Sequence, residues 1–245
     1  MLRAASRVGK PVVVNFVGAA RDSIKGEHLY PVATLEEAAH AAVALAHGRK
    51  PARRHDAPPR AKRPRFAPSQ RYVRGLYSGG TFCYEASLLL GDTLDGVWSN
   101  APLRPERWIK DVWKSREHTL IDLGDDEFTR GRPHPMIDHR LRNERILKEV
   151  ADPQVAVILL DVVLGHGSHA DPASVMAPTI EAARKRATAG RRTIAFVGSV
   201  CGTRADTQNL ARQETALRAA GMALAPSNAA AVRLAAALVP GRTRS

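Results

Sequence analysis

The sequence predicts an α/β fold built on a doubly wound parallel sheet, and two observations carry that prediction. Short apolar runs that read as strands buried on both faces alternate with helix-length amphipathic segments. Glycine-rich or acidic clusters stand at the end of one strand after another, where an open parallel sheet places its ligands.

Each element can be justified in order. The segment "KPVVVNFVG" is continuously apolar, as a doubly buried strand should be. "TLEEAAHAAVALAHG" follows as a helix, with Thr34 and Glu37 spaced as a capping box and Gly48 as its stop. One strand and one helix cannot close a core, so residues 1–48 read as the C-terminal remnant of a preceding α/β unit. The basic opening "MLRAASRVGKP" lacks the apolar segment of a secretory signal and reads as a helix tail before Gly9.

Residues 49–72 read as a linker. Arg49, Lys50, Arg53, Arg54, Arg60, Lys62, Arg63, Arg65 and Arg71 stand there against the single acid Asp56, with five prolines between them. The chain carries a formal charge of +13 over 245 residues, which by itself would suggest nucleic acid. Most of the excess sits between Arg49 and Arg71, a Pro-rich stretch whose lone aromatic is Phe66, so stacking on bases has little to work with. A solvated linker is the reading, and nucleic acid is not expected as a partner.

From residue 73 to 240 the alternation is regular. Strands are expected near 74–78, 119–123, 155–161, 193–198 and 222–225, and helices over 80–91, 136–150, 173–188, 206–220 and 228–238. Five parallel strands with right-handed crossovers and helices on both faces make the flavodoxin-like version of the doubly wound plan. The connection "DTLDGVWSNAPLRPERWIKDVWKSREH" is longer than most, which marks a functional or partner-facing excursion.

Composition excludes several classes. The longest apolar run, "VAVILLDVVLG", is interrupted by Asp161 and is too short to span a bilayer, so no membrane association is expected. Two cysteines, Cys83 and Cys201, give neither a disulfide framework nor a zinc spacing, and a reducing cytoplasm is the expected home.

Candidate chemistry lies at the expected strand ends. Ser78-Gly79-Gly80-Thr81 leads from the first strand into helix 80–91. Glycines there let a ligand approach the backbone, and the unbonded amides and helix dipole favour a phosphate or carboxylate. The Lys and spacing of a Walker loop are missing. Cys83, in the first turn, reads as a buried structural thiol.

The next strand ends in Asp122, followed by Asp125, Asp126 and Glu127, and then Arg130, Arg132, His134, Asp138, His139, Arg140 and Arg142. Those carboxylates could take Mg2+ and those guanidinium groups could clamp a carboxylate or phosphate; a salt-bridged surface loop is the alternative. No resident metal site is expected. In "LLDVVLGHGSHADPAS", Asp161 closes an apolar strand and Gly165 and Gly167 flank His166. His166, ahead of His169, reads as an acid/base group or anion contact.

Together "GLYSGGTFCYEASLLL", "LIDLGDDEFTRGRPHPMIDHRLRNERI", "AVILLDVVLGHGSHADPAS" and "GMALAPSNAAAVRLAAAL" closely resemble the FdrA-type proteins, in the superfamily of succinyl-CoA synthetase and other NDP-forming acyl-CoA ligases. The resemblance spans roughly residues 74–239, and the segment around residues 10–48 resembles the end of a preceding domain. It implies a ligase-CoA domain of flavodoxin-like fold, CoA or an acyl or carbamoyl phosphate as ligand, and other subunits of an oligomeric complex as partners. It further implies that Ser78, Gly79, Gly80 and Thr81 cradle a phosphate. The residues themselves then suggest Asp122, Asp125, Arg132, Gly165 and Gly167 around the substrate, with His166, His134 and Asp161 as catalytic candidates and His166 the leading acid/base group. One departure is plain. The ligases carry a phosphohistidine after the fourth strand, and the matching region here, "CGTRADTQNLARQETALRAAGM", has no His. FdrA-type proteins are also connected with a multisubunit carbamoyltransferase of ureide (allantoin) breakdown. The expected function is therefore an acyl-CoA synthetase-like subunit binding an acyl- or carbamoyl-phosphate-type anion. The alternatives are a subunit of such a carbamoyltransferase and a non-catalytic assembly or regulatory domain.

Overall fold

A computed structural model of the chain describes residues 2–7, 9–57, 63–91, 93, 94 and 96–239. It divides into two compact units, residues 1–57 and 58–245. Linker residues 58–62 and residue 240 fall outside the described set.

The first unit contains helix α1 (Leu2–Arg7), strands β1 (Val12–Asn15) and β2 (Leu29–Val32), and helix α2 (Leu35–Ala46). β2, which the sequence reading did not anticipate, pairs with β1 in parallel register, Val12 opposite Leu29. Pro31 inside it removes a ladder donor, which masks it as a strand in the sequence. The Thr34 side chain caps α2 by accepting the Glu37 amide at 3.1 Å, while Glu37 reaches back to the Ala33 amide at 2.8 Å. That is the capping box with its return bond displaced by one residue. Gly48, at φ 66°, ends the helix. The stretch after it packs back on α2: the Asp56 amide donates to Glu36 at 2.9 Å, and the Asp56 carboxylate meets His40 at 2.9 Å.

The second unit is a parallel six-stranded sheet in the order β4-β5-β3-β6-β7-β8. Its strands are β3 (Tyr72–Tyr77), β4 (Trp98–Ser99), β5 (Thr119–Asp122), β6 (Val155–Val163), β7 (Ala195–Cys201) and β8 (Met222–Ala225). The five expected strands all form, in flavodoxin-like order. The sixth, β4, lies within the long excursion and extends the sheet at one edge. At two residues it is too short to leave a periodic signature.

The helices are α3 (Gly80–Gly91), the single turn α4 (Asp126–Thr129), α5 (Arg140–Ala151), α6 (Pro172–Ala189), α7 (Leu210–Ala219) and α8 (Asn228–Leu238). α5 begins four residues later than expected. Residues 134–138 form a turn in which the Ile137 and Asp138 amides both donate to the His134 carbonyl, at 2.8 and 3.0 Å. α7 also starts late, because Asn209, at φ 61°, is its cap and accepts the Arg212 amide.

Alternation along the strands divides the core in two. Leu76, Ile121, Ile158 and Leu160 pack with Ile146 of α5, Met176 and Ile180 of α6 and Leu217 of α7. Val73, Tyr77, Leu120, Val157 and Leu159 pack with Cys83 and Leu90 of α3 and Ala231 and Leu234 of α8. At the strand-start end, buried Arg74 bonds Glu149 at 3.0 Å and Asp152 at 2.8 Å. That end is closed by structural ion pairs. The opposite end, where β3 and β6 terminate side by side and the chain winds away in both directions, is the topological switch point.

Candidate functional site

The switch point is organised by one buried carboxylate. Asp161, near the end of β6 and 1% exposed, accepts both the Ser78 amide, at 2.8 Å, and the Ser78 hydroxyl, at 2.5 Å. From behind, the fully buried Arg142 of α5 donates to the same carboxylate at 3.0 Å and to the Asp161 carbonyl at 2.7 Å. Ser78 is therefore pinned at the point where β3 turns into α3. The hydroxyl and amide that the sequence assigned to the phosphate cradle are turned inward to make the pin. The residues left facing the crevice are Gly79, Gly80 and Thr81.

Their geometry suits a close ligand. A Cβ on Gly79 would find no atom within 4 Å, so its Cα borders open space. α3 starts at Gly80, and the first amides of a helix have no intrahelical acceptor. One helix turn in, Cys83 is fully buried and burial pushes its thiol well above the usual range, so it is a core residue rather than a nucleophile.

Asp122 flanks the turn from β5. A Cβ on Gly80 would come within 2.9 Å of Asp122 Oδ2, so glycine is what allows the carboxylate beside the turn. Asp122 Oδ1 accepts the Gly124 amide at 2.8 Å, and the Asn100 side chain bonds both the Asp122 amide and carbonyl at 2.9 Å. Burial raises the Asp122 pKa above the ordinary carboxylate value; Asp125 and Asp161 add to the rise, while the Gly124 bond and His134 oppose it. His134 sits close by: a Cβ on Gly124 would lie 2.8 Å from His134 Nε2 and 3.0 Å from the Ser78 carbonyl. The His134 Nδ1 accepts the Met136 amide at 3.2 Å. Ser78, Gly80, Asp122, Gly124 and His134 thus form one contiguous wall.

The other residues singled out in the sequence stand differently. Asp125 is exposed and caps α4 by accepting the Glu127 amide at 3.0 Å. Arg132 is exposed on the turn after α4. His166 is exposed at the tip of the loop after β6, between Gly165 (φ 111°) and Gly167 (φ 81°). That loop is fixed by Gln208, which donates to the Gly165 carbonyl at 2.9 Å and accepts the Gly165 amide at 3.2 Å. His169 is spent on structure, accepting the Asp171 amide at 3.0 Å while its own amide donates to the Met136 carbonyl at 2.8 Å.

Two residues gained meaning only in the fold. Arg142 was legible as an arginine able to clamp a carboxylate, and that carboxylate is the chain's own Asp161. His139, 4% exposed, packs its ring edge-on to His169 at 5.4 Å and its Nδ1 lies 2.7 Å from Arg142. Burial, Arg142 and His169 pull its pKa down to about 3, against a smaller upward pull from Asp138, which leaves it neutral near pH 7. Among the described residues no group of three or more His, Cys, Asp or Glu side chains is gathered for a metal. Among the described residues, too, no helix is long and apolar enough to cross a membrane.

Comparison with known proteins places this geometry in context. The model of the CoA-ligase family matches residues 76–238, which takes in the amide turn, Asp122, His134, Asp161 and the loop after β6. A similar protein is the uncharacterized YahF of Escherichia coli (strain K12), 44% identical over 166 residues, or 68% of this chain and 32% of that protein. The chain spans about a third of that relative's length.

Proposed function

The chain belongs to the CoA-ligase family, and we propose that its second unit binds the anionic group of an acyl- or carbamoyl-phosphate-type substrate at the amides of Gly79, Gly80 and Thr81. On this reading it is an FdrA-type subunit of an acyl-CoA synthetase-like or carbamoyltransferase-like assembly, whose other subunits supply the remainder of the site. The observation that carries the reading is the pin: Arg142 holds Asp161 and Asp161 holds Ser78, so the turn is fixed before any ligand arrives. Pre-organised amides bind a developing or resident negative charge without the cost of ordering a loop.

The chemistry follows from the chain's own groups. The open space over Gly79 fits a phosphoryl or carboxyl group, and CoA, when bound, would supply the thiol that accepts an acyl group. The amides of 79–81 would orient the anion by hydrogen bonds and by the positive end of α3. Asp122, with its raised pKa, holds a proton more readily than an ordinary carboxylate and can present it to a ligand oxygen beside His134. His166, at a loop tip, is available as a contact from the far side. Asp161 acts through Ser78 as a positioning residue.

Calorimetric titration with acetyl phosphate, carbamoyl phosphate, inorganic phosphate and CoA tests the proposal, alongside Gly79→Asp. That change sets a carboxylate into the open crevice without a clash, since nothing lies within 4 Å of the new Cβ. Saturable binding by the native chain, lost by more than tenfold in the variant, is expected. Folded protein that binds none of these anions, or a variant that binds as well as the parent, would overturn the proposal and leave the turn as a packing element of a non-catalytic domain.

A further inference from the structure

A second site stands at the opposite end of the sheet edge, built by the excursion between α3 and β5. Trp98 opens β4 opposite Thr119, the first residue of β5. The chain then loops out and returns through Trp108, which bridges to Ser99, and through Ile109, whose amide donates to the Ser99 carbonyl at 2.9 Å. Between these segments and residues 114–116 lies an open cleft of about 590 Å3. Such a volume is in the range that receives small organic ligands.

The lining combines flat aromatic surface with cations. Trp98 is already engaged: the Arg116 guanidinium stacks over its ring at 3.9 Å, Arg107 approaches at 5.2 Å, and its indole N–H donates to Glu117 at 2.9 Å. Trp108 is not engaged in this way. It is 56% exposed, and among the described residues no ring or guanidinium stacks on it. Lys110 and Lys114 line the same cleft. The acids Glu106 and Asp111 also line the cleft, but Asp111 is neutralised by Lys114 at 2.9 Å. What remains is the Trp108 indole with two cations in the same lining, Lys110 and the Arg116 stacked on Trp98, against the one acid Glu106. An unpartnered Trp face held by a backbone bridge, rimmed by cations, selects a planar ring that carries negative charge.

We propose that this cleft is a binding site for a nucleoside phosphate, with the base stacked on Trp108 and the phosphate held by Lys110 and Arg116. A bare inorganic anion would use only the cations, and a neutral nucleoside only the ring. A ligand bearing both is recognised by the two together. The site is separate from the amide turn and does not depend on the function proposed for it.

The chain offers a built-in probe, because its three tryptophans, Trp98, Trp108 and Trp113, all lie in this excursion. Tryptophan fluorescence of the whole chain is titrated with AMP, adenosine, ribose 5-phosphate and inorganic phosphate, and AMP binding is measured in parallel by calorimetry. Saturable quenching by AMP, at least tenfold tighter than by adenosine or ribose 5-phosphate, is expected. Trp108→Ala should abolish AMP binding by calorimetry, and Arg116→Glu or Lys110→Glu should weaken it by about tenfold, all with unchanged circular dichroism. The two charge reversals are at exposed positions, so they keep the test decisive if Trp108→Ala fails to fold. The proposal is overturned by no saturable response to AMP below about 1 mM, by equal response to ribose 5-phosphate, or by AMP binding that survives the charge reversals.

Discussion

Asp161→Ala is the substitution that most directly probes how the switch point is held. The Arg142 guanidinium is fully buried and its contacts are the Asp161 carboxylate and carbonyl, His139 Nδ1 at 2.7 Å and the Met176 sulfur at 3.1 Å. Because His139 is neutral, Asp161 carries the sole negative charge among those partners. Removing one partner of a buried pair leaves an uncompensated charge and costs about 3–5 kcal/mol. The Ser78 amide and hydroxyl lose their acceptor in the same step. For a unit of this size that corresponds to a fall in melting temperature of roughly 6–20 °C. Replacing both partners by apolar groups behaves differently, because the desolvation penalty of the ion pair disappears with the pair. Arg142→Met combined with Asp161→Leu should therefore be more stable than either single Ala variant. Urea denaturation of the wild type, both single Ala variants and the double apolar variant provides the readout. A cost below about 1 kcal/mol for Asp161→Ala, or a double variant as unstable as the sum of the singles, would refute the account of the pin.

Two further predictions follow from the same region. His139 titrates near 6.5 when unfolded but near 3 when folded, so below about pH 6.5 the unfolded chain takes up a proton that the folded chain refuses. Stability contributed by His139 is complete above pH 6.5 and falls with pH toward 3, by about 2 kcal/mol between pH 7 and pH 5; denaturation of His139→Gln measured at both pH values should show that slope reduced. Asp122 has the opposite sign, since its folded pKa is raised, and its charge beside the turn repels an anion more as pH rises through that value. Sulfate should bind the wild type more tightly as pH falls through the Asp122 titration, while Asp122→Asn, which keeps an acceptor for the Gly124 amide, should bind with little pH dependence; the same pH dependence in the two proteins would contradict the placement of Asp122.

The sheet was legible because it obeys the simplest rule available to a sequence. β6, nine residues with eight of them buried, can only read as a doubly buried strand, and the glycines and acids at its neighbours' ends mark where the crevice opens. Helices α3 and α8 begin and end where their turn and cap residues place them. What the sequence concealed is the use of charge inside the fold. α5 buries Arg142, Arg145, Ile146, Glu149 and Val150, an amphipathic stripe in register but filled by charged residues, so hydrophobic periodicity gives it no weight. Arg142 acquires its meaning from Asp161, 19 positions away on a strand, and Ser78 from the same carboxylate 83 positions on. The sequence placed its candidate residues at the strand ends, while the division between residues that face the crevice and residues that brace it depended on which way each side chain turns. β4 and β2 were hidden for local reasons, one being two residues long and the other carrying Pro31.

The central claim is that the amides of the pinned turn hold an anion. The most direct measurement is a nitrogen-15-labelled NMR titration of the intact chain with acetyl phosphate, following the amides of Gly79, Gly80 and Thr81. The account predicts saturable shifts concentrated at those three amides and at Gly124, with downfield proton movement as the turn amides donate to the ligand. Shifts that leave those amides untouched while residues elsewhere respond, or no response at all from folded protein at millimolar ligand, would contradict it.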